Sequence, residues 1–158
     1  KALIKILSEN NIKVIRLNTF NPELTLKKGV YTRIKPSDEE KEQILKGIKT
    51  LKNTKSYNHT QALIIRDNKV ISLETKKGTK EMIKRTPKSK IKKGILIKLP
   101  KAKQDLRVDL PTIGIDTFKD CKIAGIKGIA VKSNQNIILD KEISIKYANR
   151  NKLFLVAI

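Results

Sequence analysis

Tryptophan is absent from this 158-residue chain, and cysteine, histidine and methionine occur once each. A single cysteine, Cys121, excludes an internal disulfide framework and a cysteine-based metal site, and it fits reducing, cytosolic surroundings. The only histidine, His59, is far from Cys121 in sequence and no G-x-S-x-G occurs, which argues against a Ser-His-Asp or Cys-His nucleophile. His59 reads instead as a loop residue ahead of a strand. Aromatic residues make up 4% of the chain, too few for the stacking platforms that grip single-stranded nucleic acid. Neither a Walker A loop nor a G-x-G-x-x-G turn is present. No apolar run approaches the ~18 residues that a membrane-crossing helix needs, and the N-terminal residues do not read as a signal segment.

Present in excess are lysine and isoleucine. Lys and Arg number 36 against 15 Asp and Glu, a formal charge of +21. Lysine outnumbers arginine 30 to 6, whereas bidentate reading of bases and phosphates favours arginine. The densest interval, residues 76–107, holds thirteen basic residues against Glu81 and Asp105. It suits a solvated surface, a phosphate-bearing partner or an anionic membrane surface. Apolar residues reach 39%, enough for a core of one ordinary domain. Lys1 stands directly inside an apolar pattern (Ala2, Leu3, Ile4, Ile6, Leu7), so the chain reads as the continuation of a longer protein.

Local patterns predict the following elements. Residues 2–8 end a helix and Ile12–Leu17 form a strand. A capping box at Ser37-Asp38-Glu39-Glu40 opens a helix with Ile44, Leu45, Ile48 and Leu51 on one face, running to about Lys52. Gln61–Arg66 and Val70–Leu73 flank a hairpin turn at Asp67-Asn68-Lys69. Gly78-Thr79 opens a short helix, Thr86–Lys93 is an exposed loop, and Gly94–Leu99 is a buried strand. Thr117–Ala124 is helical and ends at Gly125. Ile129–Lys132 and Ile137–Leu139 are strands, Asp140 caps a helix Lys141–Asn149, and Leu153–Ile158 is a last strand. Strands alternate with helices in the second half. The expected fold is therefore α/β, with α+β the alternative: a mixed sheet flanked by helices. Residues 1–53 read as a segment and helix leading into a domain at 54–158.

The stretch from Lys101 to Gly114 carries the chemistry. Asp105, Leu106, Arg107, Val108, Asp109 and Leu110 alternate, which predicts a strand with Asp105, Arg107 and Asp109 on one face, stopped by Pro111. A solvated edge strand and a charge-presenting site both fit that pattern. On a regular strand the two aspartates would stand about 13 Å apart, with Arg107 about 6–7 Å from each. They would not share one ion unless the strand bends. The expected division is one working carboxylate, Asp109, nearest the Pro111 turn, and one orienting or salt-bridged carboxylate, Asp105. Magnesium, which needs only one or two protein carboxylates, is the matching cation. Lys101, Arg107 and the Gly78-Thr79 helix start are candidates for spreading phosphate charge.

Several segments, in order, resemble the C-terminal part of the LpxI-type UDP-2,3-diacylglucosamine pyrophosphatases. They are Gln61-Ala62, Glu74 with Gly78-Thr79 and Met82-Ile83, Gly94–Lys98, Gln104–Gly114, Ala124–Val131, Asp140-Lys141-Glu142 and Leu153-Phe154. The resemblance implies a two-domain enzyme of lipid A biosynthesis, peripheral at the cytoplasmic face of the inner membrane. Its N-terminal domain would lie outside this chain, and the isolated piece would not be competent. It further implies Mg2+-dependent cleavage of UDP-2,3-diacylglucosamine to UMP and 2,3-diacylglucosamine 1-phosphate, with a homodimer expected by analogy. Matching the family's R-x-D-L-P motif makes Asp109 the catalytic residue and a metal ligand, with Asp105 a second candidate ligand. Gly78, Thr79, Lys101, Gln104, Arg107 and Thr112 are the candidate substrate-binding residues, and no nucleic acid is expected. The chain departs from the family pattern at Lys77 and Lys80, where acids are usual, and at Thr60, Lys103 and Lys132. A basic nucleic-acid-binding module and a homologue that has kept the fold without the chemistry are the alternatives.

Overall fold

A computed structural model describes residues 2–54, 59–102 and 104–158. Lys1 and Lys103 lie outside the described residues, as does the 55–58 segment beside the expected domain start.

Among the described residues, six strands form one sheet. They are β1 (Gly29–Val30), β2 (Ala62–Arg66), β3 (Lys69–Leu73), β4 (Ile95–Lys98), β6 (Gly128–Val131) and β8 (Phe154–Ala157), in the spatial order β1-β8-β6-β4-β2-β3. β4, β6 and β8 are parallel, while β2 runs antiparallel to both β3 and β4, and β1 antiparallel to β8. A separate parallel pair, β5 (Thr112–Ile113) with β7 (Ile137–Ile138), follows the carboxyl ends of β4 and β6. The helices are α1 (Ala2–Glu9), α2 (Leu17–Phe20), α3 (Asp38–Asn53), α4 (Gly78–Arg85), α5 (Ile115–Ile123) and α6 (Lys141–Arg150).

Burial divides the sheet into two faces. Leu63, Ile65, Ile95, Ile97, Ala130 and Phe154 pack with Ile44 and Leu51 of α3. Ala62, Ile64, Leu96, Ile129, Val131 and Leu155 pack with residues of α4, α5 and α6, among them Met82, Ile83, Phe118, Cys121 and Ala148. Because both faces are covered, β6, β8 and the Ile95–Ile97 part of β4 read as apolar runs, as buried parallel strands do. The α/β reading holds: this is a mixed six-strand sheet with helices on both sides.

Residues 29–53, expected to lead into the domain, are built into the same core. Tyr31 N donates to Leu155 O at 2.9 Å, Leu155 N donates to Thr32 Oγ1 at 2.9 Å, and α3 lies along β2 and β4. The capping box that starts α3 forms as the sequence predicts. Glu40 N donates to Ser37 Oγ at 3.3 Å and Ser37 N donates to Glu40 Oε2 at 2.8 Å.

Three expectations fail. Ile12–Leu17 is not a strand: residues 12–16 lack regular structure and pair with no strand of the sheet among the described residues, and Leu17 opens the short α2. Asp140 precedes α6, but its side chain makes no cap bond; its backbone sits in the left-handed region at φ 45°. The third failure concerns the site.

Candidate functional site

The expected strand Asp105–Leu110 is a turn. Val108 N and Asp109 N both donate to Asp105 O, at 3.2 and 3.0 Å, closing a helix-like loop. Its cause is local. The Asp105 carboxylate accepts from Arg107 N at 3.1 Å, an Asx-type contact that competes with strand pairing. The same carboxylate takes a fork from Arg107: Nε to Oδ1 at 3.0 Å and an Nη2 contact to Oδ2 at 2.8 Å. These Arg107 contacts, side chain first and backbone second, hold the Asp105 carboxyl down at about 2. The 13 Å separation expected of a regular strand therefore does not apply, and Arg107 pairs with Asp105 instead of standing midway between two carboxylates.

Asp105 is thus committed to Arg107. Asp109 is exposed, and its carboxylate has no hydrogen-bond partner among the described residues. Among those residues no group of three or more His, Cys, Asp or Glu side chains is arranged to hold a metal ion.

The turn rises from the carboxyl end of β4, where an open α/β sheet presents its loops for binding. Two anchors hold it. At the near end, Leu99 N donates to Gln61 O at 2.8 Å; Lys101 N donates to Gln104 Oε1 at 2.7 Å, and Gln104 N returns a bond to Lys101 O at 3.1 Å. At the far end, Ile137 N donates to Pro111 O at 2.8 Å, and the Lys98 ammonium donates to Thr112 O at 2.9 Å. The Thr112 hydroxyl is spent on Leu110 O at 3.1 Å.

Beside the turn lie two hollows. One is polar, about 290 Å³, and is lined by His59, Gln61, Glu74, Lys76, Gly78 and Lys101. His59, expected only as a loop residue, is exposed on its wall. The other is a larger groove of about 610 Å³. Its apolar lining includes Leu45, Ile48, Leu99 and Leu106, with Lys52 and Lys132 also on its walls. Lys101 lines both. The structure therefore brings Gly78, Lys101 and Gln104 to these hollows, while Arg107 points its charge at Asp105.

The Gly78-Thr79 helix start is less open than its sequence suggests. Gly78 takes φ +85°, which favours glycine, but its amide already donates to Thr75 O at 2.9 Å. Thr79 Oγ1 donates to Glu74 Oε1 at 2.5 Å.

Glu74 and Lys98 are the residues that local reading passed over. Glu74 is 5% exposed; besides Thr79, its carboxylate accepts from Gln61 N at 2.8 Å, and its carbonyl accepts from the Thr60 hydroxyl at 3.1 Å. Lys98 is 7% exposed at the end of β4. Burial pulls its ammonium below the ordinary lysine range; the charges of Glu74 and Asp109 oppose that shift and Lys101 reinforces it. The available signal was a charged residue closing the apolar run Ile95-Leu96-Ile97. By contrast, Cys121 is buried and burial pushes its thiol up, so it stays an inert core side chain.

Two comparisons bear on this arrangement. Over 144 residues the chain is 28% identical to the UDP-2,3-diacylglucosamine pyrophosphatase LpxI of Caulobacter vibrioides, covering 86% of this chain. It spans about half of that relative, 51% of its length. The model of the LpxI C-terminal domain matches residues 27–156, which takes in the six-strand sheet up to Val156 of β8, the Asp105–Leu110 turn and both hollows' principal walls. The chain belongs to the LpxI C-terminal domain family.

Proposed function

We propose that the protein containing this chain hydrolyses the pyrophosphate bond of UDP-2,3-diacylglucosamine, releasing UMP and 2,3-diacylglucosamine 1-phosphate. The observation that carries this reading is the placement of Lys101 between a polar hollow and an apolar groove, on the loop that bears Asp109. A pyrophosphate flanked by a nucleoside and an acylated sugar needs such a junction: cations for the phosphates and apolar walls for the acyl chains. Lysines at the groove also suit a protein working at an anionic membrane surface, the proposed cellular setting.

In this reading Asp109 orients the attacking water and accepts its proton while the water oxygen bonds to the phosphorus on the sugar side. The bond from that phosphorus to the bridging oxygen breaks, and UMP departs with the electron pair. Lys101 faces the charge that develops on the phosphate oxygens. Magnesium, when bound, would spread the charge of the two phosphates. The donor set suits an ion held chiefly by phosphate oxygens and water: Asp109 is open, whereas the Asp105 oxygens are taken by Arg107 and those of Glu74 by Gln61 and Thr79. Asp109 alone is therefore the proposed protein ligand.

A nucleic-acid module is disfavoured because the fold divides the basic interval. Lys88, Lys90, Lys92 and Lys93 precede β4, Lys98 ends it, and Lys101 and Arg107 follow it, so the two groups lie at opposite ends of the sheet. A non-catalytic homologue remains the competing reading, because Lys77 and Lys80 stand exposed at the start of α4 where the family pattern has acids. The deciding experiment is UMP release from UDP-2,3-diacylglucosamine by the full-length protein with Mg2+, beside Asp109→Asn. Loss of on the order of 10³-fold in kcat is expected for the variant. No release by the unsubstituted protein would defeat the reading, and an unimpaired variant would defeat the assignment of Asp109.

A further inference from the structure

We propose that Lys98 is the positioning residue of this site: its buried ammonium latches the Thr112 carbonyl and so sets where the turn carries Asp109. The inference rests on the hydrolase reading for its kinetic arm, and on geometry alone for its structural arm.

Strand register explains why a lysine can be buried here. Ala62 pairs with Lys98 across β2 and β4, Lys98 pairs with Val131 across β4 and β6, and Glu74 N donates to Ala62 O. Glu74, Ala62, Lys98 and Val131 therefore form one row across the sheet, on the face that packs against α4, α5 and α6. The small Ala62 leaves space between the two long side chains, so a buried cation and a buried anion share a face without an apolar side chain wedged between them. An isolated ammonium would be costly in that setting.

What the ammonium holds is a backbone atom. Lys98 Nζ donates to Thr112 O at 2.9 Å, and Thr112 opens β5, which is itself pinned to β7. Between the anchors at Gln104 and Pro111, the described hydrogen bonds of residues 105–110 are internal to the turn, except that the Leu110 carbonyl accepts from Thr112. Residues 107–109 are exposed, so core packing does not fix Asp109. The position of its carboxylate is inherited from the anchors: beside the Ile137 bond to Pro111 O, Lys98 is the side chain that reaches from the main sheet to hold Thr112, three residues on. The charges acting on the ammonium are those of Glu74 from beyond β3, Lys101 from the loop after β4 and Asp109 from the turn. The Asp109 charge thus acts on the same cation that holds Thr112.

The test uses Lys98→Met and Lys98→Arg in the full-length protein, with kinetics and amide hydrogen exchange. Misplacing a catalytic group by about 1 Å costs on the order of 10²-fold in rate. Lys98→Met should therefore lower kcat by about that factor with KM within about threefold, and Lys98→Arg should recover at least about tenfold of the loss. Exchange across residues 104–113 should quicken about tenfold in Lys98→Met, while β6 and β8 stay as protected as before. A raised KM with kcat intact would overturn the inference by making Lys98 a substrate contact. Equal loss in both variants would overturn it as well, and so would unchanged exchange across 104–113. If Lys98→Met fails to fold, Lys98→Arg decides: kcat near that of the unsubstituted protein supports the latch, and a loss of about 10²-fold contradicts it. If the unsubstituted protein releases no UMP, the hydrolase reading fails by itself, and the exchange measurement still judges the latch.

Discussion

Asp105 and Asp109 are four residues apart and have been given different work by their surroundings. Asp105 is bound by one guanidinium and one amide, and its carboxyl is held near 2 against an ordinary 3.8. Asp109 has no such partner among the described residues and stands open to a ligand. Because the folded value of Asp105 is depressed, its pairing supports the turn above about pH 4 and is lost as the pH falls toward 2. The carboxyl carbon of Asp105 should accordingly titrate near 2 by NMR, and Arg107→Ala should return the midpoint toward ~3.9. A midpoint that ignores the substitution would show that another group holds the carboxylate. The alternation of charged and apolar side chains through this stretch is visible in sequence, and so is Asp109 as its open carboxylate. Hidden from a local reading is the competition that converts alternation into a turn: Asp105 finds Arg107 N two residues on before any strand edge can find it.

At the level of elements, what could be read early was whatever is specified by neighbours in sequence. The capping box of α3, the β2–β3 hairpin with Asp67 and Asn68 in the left-handed region, and the Gly125 end of α5 all belong to this class. Ser37→Ala should cost about 1 kcal/mol in urea unfolding, since it removes the acceptor for Glu40 N at the exposed start of a helix. What could not be read depends on distant partners. Ile12–Leu17 has the composition of a strand and pairs with no strand among the described residues; Glu74 and Lys98 become neighbours only once β2 is laid between β3 and β4. Close approach between strands is specified in the same non-local way. A Cβ on Gly128 would meet ring carbons of Phe154, its partner in β8, at 2.2 to 2.3 Å. Gly128→Ala should therefore destabilise the domain by about 1–3 kcal/mol through overpacking. A neutral effect would mean that the ring can move aside, which its complete burial argues against.

Taken whole, the molecule gathers its candidate site residues at one end of the sheet. Parallel strands β4 and β6 deliver Lys98, Lys101 and Lys132 there, the antiparallel β2–β3 hairpin delivers Gln61 and Glu74, and α3 supplies Leu45 and Ile48 to the groove. The far end carries the lysines of the 86–94 loop, which is stitched to α5 by Ser89 N to Ala124 O and Lys93 N to Gly125 O. The densest basic interval of the sequence is thus split in space, part of it beside the two hollows and part of it away from them. The family match covers the sheet and the turn, and the chain spans about half of its Caulobacter relative, so activity must be measured on the full-length protein. The most direct measurement is turnover of UDP-2,3-diacylglucosamine in 18O-enriched water with Mg2+, followed by phosphorus NMR of both products. The label is expected in 2,3-diacylglucosamine 1-phosphate, with none in UMP and no labelled product from Asp109→Asn; label in UMP, or no turnover by the unsubstituted protein, would overturn attack at the sugar-side phosphorus by Asp109-activated water.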